Sequence, residues 1–367
     1  LALSIDVRAQ FAVRAAVGAA ARTYGAKAGV GLLLDVRTGE LAALVSLPEF
    51  DPVAPGAARP EARFNNATLG VFEMGSTFKI FTTAIALQTG VVDLTGSYDA
   101  SDPIEAYGHE IRDFHPRGRQ LSVPEIFKYS SNIGSAKMAL DFGVDAQRAW
   151  LDALGLTTAP PLEVAEVGRP LVPNPWRPIN LMTIAYGHGL SVSPVQLASA
   201  VAAVVNGGIY RPPTLLKQDG PVAGRRVFSS EISADMRRLM RLSVVEGTGR
   251  RADAAGYFVG GKTGSAEKIV DGAYDPDRMV SSFVGAFPMD APRYVVFAML
   301  DEPQGTAETN GNATGGWTAA PIARAIVEAA APILGVEPRL SGDAAAVAAL
   351  AIDAGGPPLE ETPHAPF

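Results

Sequence analysis

Ser76 and Lys79 stand three positions apart in Gly75-Ser76-Thr77-Phe78-Lys79. A serine hydroxyl is a poor nucleophile near neutral pH, so a base must touch it. Spacing of three puts both side chains on one face if the segment is helical. The apolar run from Phe78 to Leu87, with Gly90 as a stop, predicts that helix. Gly75 lets the chain turn sharply into it. The positive end of the helix would stabilise an oxyanion and disfavour a protonated lysine, biasing Lys79 toward the free amine that a base must be. A lone Ser-x-x-Lys arises by chance roughly once in a chain this long. Ser265-Ala266-Glu267-Lys268 is such a decoy: it lies in a strand-like run, where positions three apart point to opposite faces.

Two more clusters fit the same chemistry. Ser130-Ser131-Asn132 lies in a loop just before a helix. The Ser130 hydroxyl can relay a proton between the base and a departing amine. The Asn132 amide both donates and accepts, which suits a peptide backbone. Taken alone, these residues read more simply as a helix N-cap. Lys262-Thr263-Gly264-Ser265 lies on a predicted strand, beside which an extended substrate can add by backbone hydrogen bonds. Gly264 permits close approach, and Lys262 with the Thr263 and Ser265 hydroxyls can hold a terminal carboxylate. The backbone N–H groups of Ser76 and Ser265 can form an oxyanion hole. Taken alone, this cluster is a strand with an exposed lysine. In one order, the three clusters point to an enzyme that acylates itself on Ser76.

The elements that must position these residues follow from periodicity. Residues 6–24 read as a helix capped by Asp6. Ala28 to Asp35 and Leu41 to Leu47 read as a strand hairpin around Thr38-Gly39. The section 76–250 reads as mostly helical, with helices at Phe78–Leu87, Val123–Phe127, Gly134–Phe142, Ala146–Leu154, Pro194–Val205 and Ser233–Val245. Strand character returns at Tyr257 to Lys268, Val280 to Phe287 and Tyr294 to Leu300, and a helix follows at Ala319–Leu334. One sheet built from both ends of the sequence, with a helical insertion between, is the economical arrangement. Residues 338–367, rich in Ala, Gly and Pro, read as a mobile tail.

Composition narrows the function. A net charge of -7 argues against non-specific nucleic-acid binding, which needs a basic face. There are no cysteines, so neither a disulfide nor a thiolate metal site exists. The four histidines, His109, His115, His188 and His364, show no His-Glu-x-x-His pairing, which speaks against a zinc hydrolase. No apolar run reaches 18 residues, so no transmembrane span is expected, and Leu197 to Val205 reads as a buried helix. The opening residues, Leu1 to Asp6, already read as folded domain, which suggests a fragment with an upstream part removed.

With these motifs in place, the chain resembles a class B penicillin-binding protein, a peptidoglycan D,D-transpeptidase, over nearly all of residues 1–337. Further residues carry the likeness: Thr38-Gly39-Glu40, Ser46 to Pro52, Tyr186-Gly187-His188-Gly189-Leu190-Ser191-Val192-Ser193-Pro194, and Gly315-Gly316-Trp317 leading into Ala320-Pro321. Asn132, the run Ser265-Ala266-Glu267-Lys268 and Gly108 to Asp113 are similar to the septal, cell-division branch. Ser265 stands where the family commonly has Thr, and His188 where it more often has Tyr.

The resemblance implies an α/β fold of α+β type: a central, mainly antiparallel five-stranded sheet flanked by helices, with a large all-helical insertion. Residues 1–75 and 251–337 would form the sheet part and 76–250 the helical part. Ser76 would attack the penultimate D-Ala carbonyl of a stem peptide, Lys79 would take its proton, and Ser130 with Lys262 would protonate the leaving D-Ala. Asn132, Thr263, Gly264 and Ser265 would hold the donor, and a stem-peptide amine would complete the cross-link. The resemblance implies no metal or organic cofactor. It implies β-lactams as inhibitors, the periplasmic face of the bacterial inner membrane as location, and a glycan-polymerising glycosyltransferase and other division proteins as partners.

Three other readings share the motifs. A serine β-lactamase needs a base to activate water for the second step, and no Glu-x-x-x-Asn loop follows Asn132, although Glu163 and Glu166 are present. A D,D-carboxypeptidase would release its acyl group to water. A β-lactam sensor or silent division scaffold would not need the intact set of hydroxyls and lysines that this chain keeps.

Overall fold

The computed structural model describes residues 1–220, 222–339, 343–357 and 359. A five-stranded antiparallel sheet forms its centre. The strands are β1 (Ala28–Asp35), β2 (Leu41–Leu47), β3 (Gly260–Val270), β4 (Ala273–Phe287) and β5 (Tyr294–Asp301), in the order β3-β4-β5-β1-β2. The first two come from one end of the sequence and the last three from the other. β5 pairs with β1 from Ala28↔Asp301 to Asp35↔Tyr294, closing the sheet across the insertion. β3 is an edge strand, so one side of its backbone lies open beyond the ladder with β4.

The sheet is covered on both faces, which explains why β1 is apolar without alternation. Val30, Leu32 and Leu34 point into one core and Leu33 into the other. Helices α1 (Val7–Thr23), capped by Asp6, and α8 (Ala319–Ala330) pack on the Leu33 face. The opposite face meets α2 (Lys79–Thr89), α6 (Pro194–Val205) and α7 (Ser230–Val245). Every residue of α6 is buried, and its start is a capping box between Ser193 and Gln196.

The helical part also contains α3 (Val123–Tyr129), α4 (Asn132–Ala153) and α5 (Pro178–Ile184). Gly143, at φ 80 and ψ 173, breaks α4 where two separate helices were expected. The insertion is not all-helical, which corrects the sequence reading. Short antiparallel pairs occur at Ser97–Asp99 with Gln120–Ser122, and at Ile104–Ala106 with His109–Ile111. Three-residue strands are too short for periodicity to reveal.

The segment expected to be a mobile tail contains α9 (Ala344–Leu350), which buries Ala346 and Leu350 against the helical core. Residues 351–357 and 359 continue along α3. Residues 340–342, 358 and 360–367 lie outside the described residues.

Candidate active site

Ser76 sits in a 3-10 turn, Gly75–Phe78, directly ahead of α2. Such a turn has three residues per revolution, so positions i and i+3 eclipse. That stacks Ser76 over Lys79 and sets Lys79 Nζ 2.9 Å from Ser76 Oγ. Gly75 adopts φ +52, which a side chain would strain, and a Cβ there would lie 2.5 Å from the Ser265 carbonyl oxygen. The turn is therefore pressed against β3, and the backbones at Ser76 and Ser265 run side by side.

Lys79 is buried, and its neighbours define its protonation. Nζ lies 2.6 Å from the Ser130 carbonyl and 2.7 Å from Asn132 Oδ1. Asn132 Nδ2 donates to the Arg112 carbonyl at 2.8 Å, which turns Oδ1 toward the amine. Both oxygens can only accept, so they take the two hydrogens of a free amine and leave its lone pair for the Ser76 hydroxyl. Burial, then the like charge of Lys262, holds the Lys79 pKa well below the ordinary lysine range, with Asp113 opposing. Ser130 Oγ, 3.0 Å away, is near enough to exchange a proton with Nζ.

The second cluster joins α3 to α4. Ser130 ends α3 in the left-handed region at φ 62. Ser131 is the N-cap of α4, accepting from Gly134 N–H at 2.9 Å. The capping reading of this motif thus belongs to Ser131, while Ser130 and Asn132 face Lys79. Asp113 secures the loop: Ser131 Oγ donates to Oδ2 at 2.7 Å and Ile133 N–H to Oδ1 at 2.9 Å.

The third cluster lies on β3. Lys262 has no exposed surface, unlike the lysine of an ordinary edge strand. Its Nζ donates to Ser130 Oγ at 2.9 Å and reaches Thr248 Oγ1 at 3.5 Å. Burial lowers its pKa to about 7. Thr263 Oγ1 shares a 2.6 Å hydrogen bond with Thr248 Oγ1. Ser265 Oγ accepts from Gly315 N–H at 3.0 Å, leaving its own hydrogen to donate. The close approach at Gly264 comes from the chain itself, since a Cβ there would lie 2.4 Å from the Met74 carbonyl oxygen. The decoy Lys268 is held elsewhere, donating to Asp301 at 2.8 Å and to Glu302 at 2.8 Å.

Two residues around the site were given no role by the sequence reading. Thr248 reaches Lys262 and Thr263, and Asp113, noted only within the run Gly108 to Asp113, reaches Ser131 and Ile133. His188, which carried no assignment, packs between Tyr186 and Tyr274. Burial, then the charge of Lys79, lowers its pKa to about 4, so it is neutral at working pH. Tyr274 donates to Glu73 at 3.1 Å, fastening the β3–β4 hairpin to the chain just before Ser76.

Comparison with known proteins agrees with this geometry. Residues 29–328 match the penicillin binding protein transpeptidase domain. The chain belongs to that family. It is 42% identical over 346 residues to the probable peptidoglycan D,D-transpeptidase FtsI of Caulobacter vibrioides, covering 91% of this chain and 59% of the relative. It is 34% identical over 342 residues to the peptidoglycan D,D-transpeptidase FtsI of Escherichia coli K12, covering 92% and 57%. Among solved structures it resembles the apo transpeptidase domain of Burkholderia pseudomallei penicillin-binding protein 3, with a TM-score of 0.82, 34% identity, and coverage of 92% and 98%. The chain thus spans somewhat under three fifths of these two curated relatives. Membership of the family accords with the α+β architecture and its five-stranded sheet.

Proposed function

We propose that this chain is the acyl-transferring domain of a peptidoglycan D,D-transpeptidase of the cell-division type, and that β-lactams acylate it on Ser76. The observation that carries the reading is the setting of Lys79: buried, beside Ser76 Oγ, with two acceptors that suit a free amine.

The mechanism follows from the distances. Ser76 Oγ attacks the carbonyl carbon of the penultimate D-Ala while Lys79 Nζ takes its proton across 2.9 Å. The backbone N–H groups of Ser76 and Ser265 hold the oxyanion. As the bond to the terminal D-Ala nitrogen breaks, Ser130 gives that nitrogen its proton and is replenished by Lys79 across 3.0 Å. Lys262 steadies the Ser130 oxygen from the other side. A stem-peptide amine then attacks the ester carbonyl, its proton returns by the same path, and Ser76 leaves as the hydroxyl. The donor peptide adds along the free edge of β3, where Asn132, Thr263 and the Ser265 hydroxyl bind it around Gly264.

The septal assignment rests on Asn132, on the run after Gly264 and on the likeness to the two FtsI transpeptidases. It carries with it the periplasmic face of the inner membrane and a glycan-polymerising glycosyltransferase as partner. Of the two carboxylates weighed against a water-activating base, Glu163 and Glu166, the first accepts from Thr214 Oγ1 at 2.6 Å and Leu215 N–H at 2.9 Å, which supports its reading as part of a structural loop.

Intact mass after mixing with a penicillin tests the reading. A one-to-one adduct lasting hours, mapped to Ser76 and absent in Ser76→Ala, is the expected result. Rapid adduct loss with many turnovers would make the domain a β-lactamase. An adduct persisting in Ser76→Ala would remove the nucleophile assignment.

A further inference from the structure

The described residues after α9 lie along the back of the site. Arg238 holds the Ala351 carbonyl at 3.0 Å. Ser122 Oγ then donates to the Ala354 carbonyl at 3.3 Å, Lys128 Nζ to the Gly356 carbonyl at 3.3 Å, and Tyr129 Oη to the Pro357 carbonyl at 2.6 Å. Leu359 donates its N–H to the Glu246 carbonyl at 3.2 Å and buries its side chain against the cluster of Ile126, Tyr129 and Ile133. Gly356 has φ +68, and a Cβ there would lie 2.7 Å from Tyr129 Oη and 2.8 Å from Glu125 Oε1. A side chain at Gly356 would have to push the Tyr129 hydroxyl and the Glu125 carboxylate aside.

Two backbone segments meet under the strap. Lys128 and Tyr129 immediately precede Ser130. Glu246 lies two residues before Thr248, and it pairs with the fully buried Lys128 at 2.7 Å. Ser130 Oγ and Thr248 Oγ1 are the two hydroxyls that Lys262 Nζ reaches, at 2.9 and 3.5 Å. The strap therefore spans the joint between the two segments that carry those hydroxyls. Its own atoms bond to helix α3, Arg238 and the Glu246 backbone.

We propose that residues 351–357 and 359 form a clamp that sets the contact between Ser130 and Lys262, with Lys128, Tyr129 and Gly356 as positioning residues for acylation. This rests on the acyl-transfer reading above. A segment rich in Ala, Gly and Pro can do this because four of its carbonyls accept hydrogen bonds, with Leu359 adding its N–H and its buried side chain. Ser130, in a left-handed backbone conformation at the end of α3, donates its N–H to the Ile126 carbonyl, so its place follows that of the helix end the strap holds.

The full chain carries the test. Acylation by a fluorescent penicillin is followed over a range of concentrations, separating the maximal rate from the half-saturating concentration. The fraction of protein that ends as adduct is read by mass. Gly356→Val, which forces the strap off α3, is expected to lower the maximal rate at least tenfold. The half-saturating concentration and one-to-one adduct should be retained. Tyr129→Phe loses only one hydroxyl and is expected to lose two- to fivefold in the same rate. Val347→Ser, on the exposed side of α9, should react like the unmodified chain. If Gly356→Val does not fold, Tyr129→Phe decides alone. Unchanged maximal rates would overturn the clamp. So would a smaller adduct fraction at an unchanged rate, because the strap would then serve stability only. If the unmodified chain itself forms no adduct, the acyl-transfer reading fails instead.

Discussion

Lys79 Nζ lies 2.9 Å from Ser76 Oγ, yet its two shortest contacts are to the carbonyl oxygens of Ser130 and Asn132. The nearest acceptors thus occupy the hydrogens, and the nucleophile is left with the lone pair. That arrangement is what the proposed role of Lys79 as base requires.

Replacing that base should abolish the chemistry and keep the fold. Arginine cannot give up its charge at any working pH. Lys79→Arg is expected to slow acylation by about 10²–10⁴, the usual worth of a positioned base. In the unmodified chain acylation should fall on the acid side, once the lowered Lys79 pKa is passed and the amine is protonated. Stopped-flow acylation across pH, with circular dichroism for the fold, checks both.

Lys262 should cost stability. Its folded pKa, about 7, is below the ordinary 10.5. Between those values the unfolded chain binds the extra proton, so stability rises with pH through that window and carries the full penalty below it. Lys262→Met is expected to melt higher at pH 7 and to flatten the rise in stability between pH 7 and 10.5. It should also acylate far more slowly. Losing the Lys262 charge lets the Lys79 pKa climb, so the acid limb of acylation moves to higher pH. Melting curves at pH 7 and 9.5 read the first effect and the acylation profile the second.

Gly187 braces the turn that carries Ser76. Its carbonyl accepts from Gly75 N–H at 3.1 Å, its φ is +92, and a Cβ there would lie 1.9 Å from the Gly75 carbonyl oxygen. Gly187→Ala should destabilise the chain by more than about 2 kcal/mol, since backbone strain and collision add. Gly90→Ala is the comparison. Gly90 caps α2 at φ +72 with open space around it, so only the left-handed strain of about 1 kcal/mol applies. Urea unfolding of both variants gives the difference.

Asp113 should matter for both fold and rate. Asp113→Ala leaves the Ser131 hydroxyl and the Ile133 N–H buried without their acceptor. Each orphaned group costs about 1–3 kcal/mol. The loop that presents Ser130 and Asn132 should loosen, and acylation should slow with it. Asp113→Asn keeps one acceptor oxygen and should fall between the two. Denaturant midpoints and acylation rates on the same preparations test this.

Much of the fold was legible because it is local. The cap of α1, the all-apolar strand β1 and the stop at Gly90 each depend on neighbours within a few residues. The short strand pairs around residues 97–122 were missed because three residues hold no period. The strap after α9 was read as mobile because Ala, Gly and Pro carry no side-chain signal. Its backbone carbonyls provide the binding.

The sequence by itself determined the chemistry available. It supplied a serine three residues from a lysine, three further hydroxyls, an amide, a second lysine and a permissive glycine. Eclipsing of Ser76 with Lys79 needs only one turn of chain, so it is local. Tertiary structure alone decided how these groups meet. Only folding brings Ser130 to Lys79 across 51 positions and to Lys262 across 132. Only packing buries both amines, and removing water is what lowers the pKa of both lysines. Asp113, Thr248 and the strap of residues 351–357 and 359 make contacts that no spacing rule encodes, because the distances involved are set by the core and not by the chain.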